Sequence, residues 1–304
     1  MQELRDAATV MLVREVGSRL EVLLMRRARG LAFMADRWVF PGGRVDEADG
    51  DEAVQGWCED VGAIGEAAAR MGVEAARARA LCVAALREVF EESGLLLVRR
   101  QGAHVEASAL ARLREELSCW RGEVDRGERT MVGLMEALGA RLEGVRLGVN
   151  ELVLFAHWIT PFFETRRYDT RFFVARAPQG QEVGADEREL VDAQWLTPSE
   201  ALGRYREGAL ELAPPTLCVL EAMRVYERAG GMEALFRDAS RAQVRAILPH
   251  LLEEADEGEA VLVLPGDRGY PVGDARYAGY ASARGEVTRV VRKGGQWWTG
   301  ASPG

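Results

Sequence analysis

The chain has 304 residues, of which 48% are hydrophobic and 29% charged, with a formal charge of -9. A chain of this size and composition buries one large core or two modest ones, so disorder is not the expectation. The acidic balance argues against sequence-independent binding to phosphate backbones, which needs a dense basic surface, and leaves room for small anionic substrates held by a local basic patch.

The opening "MQELRDAATVMLVREV" has early acids and no long apolar run, so neither a secretory signal nor a membrane span is expected, and the expected compartment is the cytosol. Residues 8–15 and 20–27 are apolar, β-branched runs around "VGSR", which predicts a hairpin in a central sheet. A Pro-Gly-Gly turn and an acidic loop follow in "RWVFPGGRVDEADGD". Residues 49–75 read as an inserted loop with a short helix, and from about Glu74 an alanine-rich stretch leads into a helix rich in glutamate.

"GLLLVRR" reads as a strand, and residues 105–143 alternate Ala, Leu, Arg and Glu at helical spacing, which predicts a helical insertion. "LVLFAHWITP" and "TRFFVARAP" predict a second hairpin joined by "FFETRRYD"; "ELVDAQWLTP" adds a strand before a helix starting near Pro198. Two amphipathic helices follow, in "PPTLCVLEAMRVYERAG", opened by prolines and closed by Gly230 and Gly231, and in "MEALFRDASRAQVRAIL"; both are expected to cover one sheet face. From "AVLVLPGDRGYPVG" to "QWWTG" the composition returns to strand and turn. The expected organisation is a main domain over residues 1–255 and a β/turn extension over 256–304.

Cys58, Cys82, Cys119 and Cys218 lie far apart with no C-x-x-C spacing, so they read as reduced, buried small apolar residues. His104, His157 and His250 are spread over three regions, so a zinc or histidine-base site is not expected, and His157 reads as a packed strand residue.

The chemistry concentrates in "LREVFEESGLL", residues 86–96. At about 100° per residue, Leu81, Cys82, Ala85, Leu86, Val89 and Phe90 form an apolar arc, and Arg87, Glu88, Glu91 and Glu92 fill the remaining face. Glu88, Glu91 and Glu92 are neighbours at i, i+3 and i+4, where a like-charged pair costs about 0.2–0.5 kcal/mol. Acids near a helix C-terminus also oppose the macrodipole, at about 0.3–1 kcal/mol each. A divalent cation would offset both, and magnesium suits one or two carboxylates together with waters and substrate phosphates. Acidic strings such as "RLREELS" and "LLEEADEGE" show that charge alone does not make a site; here "FPGG" at residues 40–43 and Gly94 supply the turn that lets backbone approach a ligand.

With these elements the chain resembles the Nudix hydrolase family, whose signature runs Gly, five residues, Glu, seven residues, then Arg-Glu-apolar-x-Glu-Glu-x-Gly-apolar. Arg87, Glu88, Val89, Glu91, Glu92, Gly94 and Leu95 match its second half without a gap. Gly43 lies 44 positions before Arg87 where the signature has 14, so 30 extra residues fall inside the motif. The first glutamate has no clear equivalent: Asp49 stands six positions past Gly43, and Arg79 eight before Arg87. The resemblance implies an α/β/α Nudix sandwich with a mixed central sheet, helical insertions and a C-terminal extension.

It also implies that Glu88, Glu91 and Glu92 hold Mg²⁺ or Mn²⁺ with the Gly42 carbonyl, while Arg87 orients the carboxylates. A base or further ligand would come from "ADERELVDAQW", where Glu189 is the choice, beside Glu187, Glu182 and Asp186. Arg26, Arg27, Arg29 and Arg37, with Gly43, form one candidate substrate-binding cluster, and Arg166, Arg167, Tyr168 and Arg171, with Phe162 and Phe163, a second. Together with "DAQWLTPSEAL" and "LAPPTL", these segments resemble the branch that includes the peroxisomal coenzyme A diphosphatases, over about residues 7–225. The implied reaction splits coenzyme A or an acyl-coenzyme A into 3',5'-ADP and a 4'-phosphopantetheine product. Alternatives are ADP-ribose, NADH or nucleotide-sugar hydrolysis, or a non-catalytic binding protein of the same fold. The chain ends in "ASPG", without a Ser-Lys-Leu address. The expected partner is a small nucleotide-type molecule, with no nucleic acid or membrane, and a homodimer is the assembly considered.

Overall fold

The protein is described by a computed structural model over residues 3–28, 36–58, 61–184, 190–227, 231–252, 260–280 and 287–300. β1 (Leu4–Val16) and β2 (Arg19–Arg27) form the expected hairpin. β3 (Trp38–Val39) then pairs with β2, and β4 (Gly42–Arg44) pairs with β1. After two 3-10 turns come α1 (Val61–Met71) and α2 (Ala75–Ser93). The segment expected as a loop with a short helix is thus mostly turn and helix, because Ile64, Ala68 and Met71 recur on one face of α1 and bury in the core.

Next are β5 (Val98–Arg100), β6 (Ala103–His104), α3 (Ala107–Ala111), α4 (Arg114–Asp125), α5 (Met131–Arg141) and β7 (Val145–Leu147). The strand expected from Gly94 starts only at Val98: the Leu96 amide and carbonyl pair with the Gln181 side chain at 2.9 and 3.0 Å instead of a strand. β8 (Val153–Ile159) and β9 (Arg167–Arg176) are the second hairpin, followed by β10 (Leu190–Leu196), α6 (Pro198–Arg206), α7 (Pro214–Arg224) and α8 (Gly231–Arg241). α7 stops at Arg224 and passes into a 3-10 turn over Val225–Glu227, short of the expected Gly230. α8 also ends early, since Ala246 and Ile247 form β11 (Ala246–Ile247) in parallel pairing with His157 and Trp158. The chain closes with β12 (His250–Leu252), β13 (Ala260–Val263), β14 (Arg289–Lys293) and β15 (Gln296–Gly300), a four-stranded antiparallel sheet whose first strand precedes residue 256.

The main sheet has eight strands in the order β10-β2-β1-β9-β8-β11, with β3 on β2 and β4 on β1. It is mixed: β1 runs parallel to β9 and β8 to β11, while the other pairs are antiparallel. Alternation along β1 splits the core in two. Ala8, Val10 and Leu12 join Leu23, Met25 and Phe173 beneath α1, α2 and the insertion helices. Met11 and Val13 join Val22, Leu24, Phe172 and Val174 beneath α6, α7 and α8. The outcome is the α/β/α sandwich, with α2 laid across one face and the glycine turn of β4 beside it.

Candidate active site

α2 ends because Gly94 adopts a left-handed conformation (φ +73°) and its amide donates to the Phe90 carbonyl, which places Glu88, Glu91 and Glu92 in the last two turns. These acids are not on an open helix face. Arg87, Glu91 and Glu92 are only 8%, 7% and 5% exposed, because the glycine turn covers one flank and the insertion helices the other.

The glycines allow that approach. A side chain on Gly43 would lie 2.4 Å from Glu88 Oε1, and one on Gly42 would collide with the β1 backbone, 2.5 Å from the Ala8 carbonyl oxygen. The Gly42 amide donates to Glu92 Oε2 at 2.8 Å, so the turn is tied directly to the helix.

Arg87 organises the centre. Its Nε and Nη2 donate to the two oxygens of Asp49 at 2.9 and 3.0 Å, and Nη1 donates to Glu88 Oε1 and Glu91 Oε2, both at 2.9 Å. Nη2 also donates to the Arg44 carbonyl at 2.9 Å. The two-pronged Asp49 contact answers the question left by the interrupted motif: Asp49, 2% exposed, is the acid that supports the arginine, whereas Arg79 turns to Gln55. Asp49 is itself held by the Asp46 amide at 2.8 Å. The intervening residues loop out as the two 3-10 turns and α1, so the two halves of the motif meet as though they were contiguous.

One guanidinium thus faces two buried carboxylates, Asp49 and Glu91, and the half-buried Glu88. Burial raises the Asp49 and Glu88 carboxyls, against the pull of Arg87. Burial also lifts Glu91 to about 8, with Arg87 opposing and Glu88 adding to the rise. Burial disfavours the charge on Arg87, but Glu88, Asp49 and Glu91 outweigh it and hold its pKa above the ordinary value.

A pH dependence follows. With a folded value of about 8 against 4.5 for a free glutamate, the native state holds a proton on Glu91 that the unfolded chain releases. The metal-free protein should therefore lose stability as pH rises from 4.5 toward 8. Thermal melts of the chelator-treated protein should show this decline, and Glu91→Gln should flatten it; equal slopes for both proteins would contradict the assignment.

Among the described residues, no three Asp, Glu, His or Cys side chains already stand in a metal-holding arrangement, since Arg87 and the Gly42 amide engage the glutamate oxygens. The donor set nevertheless suits a hard divalent cation: the donors are carboxylate oxygens, buried and short of positive charge, beside a glycine backbone.

The other candidate residues are dispersed. Arg26, on β2, pairs with Asp36 at 3.4 Å, and the Arg27 amide donates to the Arg37 carbonyl at 2.9 Å, so these three arginines gather at the end of β2 where β3 begins. Arg167 donates to the Thr160 carbonyl at 3.0 Å and lies over the Phe162 ring at 4.2 Å; the Tyr168 amide donates to Thr160 Oγ1 at 3.0 Å. Arg171, expected to meet substrate, is instead buried and ion-paired with Asp169, which also holds His157 and Arg77. Ala8 of β1 pairs with Gly43 on one side and Arg171 on the other, so Arg171 stands two strands, roughly 10 Å, from the glycine turn. His157, packed within β8, belongs to this polar cluster. Glu187 and Glu189 lie outside the described residues. Asp49 was the residue that sequence reasoning left unassigned, although its position six past Gly43 was the signal for it.

This sandwich, with its Arg-Glu-x-x-Glu-Glu helix docked on a glycine turn, is that of a Nudix hydrolase. The chain belongs to the NUDT19 Nudix domain family, which matches residues 68–224. An acyl-coenzyme A diphosphatase NUDT19 of Xenopus laevis is 25% identical over 281 residues, covering 83% of this chain and 71% of the relative. The protein of the same name from Gallus gallus is 27% identical over 326 residues, covering 90% of this chain and 82% of the relative. The crystal structure of a Nudix hydrolase from Alicyclobacillus acidocaldarius aligns with a TM-score of 0.55 at 28% identity, covering 75% of this chain and 94% of that one. No helix among the described residues is long and apolar enough to cross a membrane.

Proposed function

We propose that this Nudix hydrolase cleaves the diphosphate of coenzyme A or an acyl-coenzyme A, releasing 3',5'-ADP and 4'-phosphopantetheine or its acyl form. The observation that supports diphosphate chemistry most directly is the cation-poor carboxylate group of half-buried Glu88 and buried Glu91 and Glu92 against the Gly42-Gly43 turn. The coenzyme A assignment is supported by the names of the two relatives matched over most of their length. The four free cysteines suit a reducing compartment such as the cytosol.

In this reading Glu88, Glu91 and Glu92, with the Gly42 carbonyl, hold Mg²⁺ or Mn²⁺. The bound cation would neutralise charge on the phosphates and acidify the attacking water. Asp49 fixes Arg87, and Arg87 holds Glu88 and Glu91 beside the glycine turn, so that a cation entering there would draw carboxylate oxygens from the guanidinium. Glu189 is proposed as the base that takes the water proton. Water oxygen bonds to one phosphorus, the bridging oxygen leaves with its electron pair and is protonated, and two phosphate monoesters result. Arg26, Arg27 and Arg37, with Gly43, are proposed to meet the phosphates, and Arg167 and Tyr168 the remainder of the nucleotide.

The test is a panel of coenzyme A, acyl-coenzyme A, ADP-ribose, NADH, nucleotide sugars and dinucleoside polyphosphates with Mg²⁺ or Mn²⁺, products being identified by mass. Highest kcat/KM for a coenzyme A species, with 3',5'-ADP released, is the expected result. Faster turnover of ADP-ribose, NADH or a nucleotide sugar would displace coenzyme A, and no turnover of any of them would favour a binding role.

A further inference from the structure

We propose that Arg121, on helix α4 of the 105–143 insertion, is a positioning residue for the hydrolysis, clamping the carbonyl end of the glutamate helix to the connection that follows β9. The inference rests on the diphosphate-hydrolase reading above and gives the insertion a part in that reaction.

The last carbonyls of an α-helix have no partner within the helix, so their position depends on what meets them from outside. Arg121 meets two of them: Nε donates to the Glu91 carbonyl at 2.7 Å and Nη2 to the Glu92 carbonyl at 2.8 Å. These backbone units bear two of the three metal-binding candidates. Nη2 also donates to the Gly184 carbonyl at 2.8 Å, so a single planar group spans three carbonyl oxygens on two segments. Gly94 leaves the room required, since a side chain there would stand 3.2 Å from Arg121 Nη1.

Other bonds bring the same connection to the same helix end. The Gly184 amide donates to the Ser93 carbonyl at 2.9 Å, and the Gln181 side chain pairs with both backbone groups of Leu96. A cation at a helix C-terminus also opposes the negative end of the macrodipole, the cost that glutamates in the final turns incur. Arg121 therefore acts on Glu91 and Glu92 through their backbone, with no role in touching substrate.

The experiment uses the full chain and compares Arg121→Met and Arg121→Lys with wild type, reading kcat and KM for the best diphosphate substrate, Mn²⁺ affinity by electron paramagnetic resonance without substrate, and folding by circular dichroism. Because misplacing catalytic groups by about 1 Å costs on the order of 100-fold, Arg121→Met should lower kcat about 10- to 100-fold, with KM within about threefold. Its Mn²⁺ Kd should rise about three- to tenfold, although removing a cation would by charge alone tighten binding. Arg121→Lys, with the charge but without the planar fork, should fall between the two. An unchanged kcat in folded variants, or an effect on KM alone, would overturn the proposal. If Arg121→Met does not fold, Arg121→Lys decides: a native spectrum with wild-type kcat overturns it. If the wild type cleaves no diphosphate, the functional reading fails by itself, and Arg121 is then judged by Mn²⁺ affinity, an unchanged Kd overturning its role.

Discussion

Glu92→Gln should lower kcat by at least about 100-fold while the protein stays folded, exceeding the 10- to 100-fold typical of residues one step removed from a metal. Glu92 accepts the Gly42 amide at 2.8 Å, and a glutamine carbonyl oxygen can accept that same bond, so the tie between helix and glycine turn survives the change. What is lost is a negative charge where, in the proposed mechanism, a divalent cation and a pyrophosphate meet. Steady-state kinetics with Mg²⁺ or Mn²⁺, alongside circular dichroism, measures the effect. Wild-type turnover in a folded variant would remove Glu92 from the metal site.

Arg87→Met should produce the largest loss of stability. Arg87 is the cation shared by Asp49, Glu88 and Glu91, and both sides of its pairs are nearly inaccessible to water. Removing one member of such a buried set leaves charges uncompensated and costs about 3–5 kcal/mol. For a chain of 304 residues each kcal/mol moves the melting temperature by about 1.6 °C, so a fall of roughly 5–8 °C is expected in the metal-free protein. Excess Mg²⁺ should restore more of the melting temperature in the variant than in wild type, because the cation replaces part of the missing charge. A loss below about 1 kcal/mol, or an equal Mg²⁺ effect on both proteins, would mean that the acids are neutralised in another way.

Much of the architecture was legible along the chain. The two hairpins follow from apolar, β-branched and aromatic runs broken by polar residues, and α2 from an apolar arc closed by Gly94. Boundaries failed where a tertiary partner replaced local preference, as at Leu96, whose backbone is taken by Gln181, and at Ile247, which pairs with Trp158 instead of extending α8. Spacing suggested Asp49 without selecting it, because 37 residues separate it from Arg87 where the family signature has seven, and no local pattern shows that such a segment folds away.

By itself the sequence determined the glutamate helix, the glycine turn and their chemical type, because helical periodicity, charge spacing and glycine's conformational range are local properties. Only the tertiary structure decided that the acids are buried, that Asp49 supports Arg87, that Arg171 pairs inward with Asp169, and that Arg121 closes the end of the helix. Those contacts join residues tens of positions apart, with Arg171 and Asp169 the near exception, and each is selected by which groups meet when water is excluded.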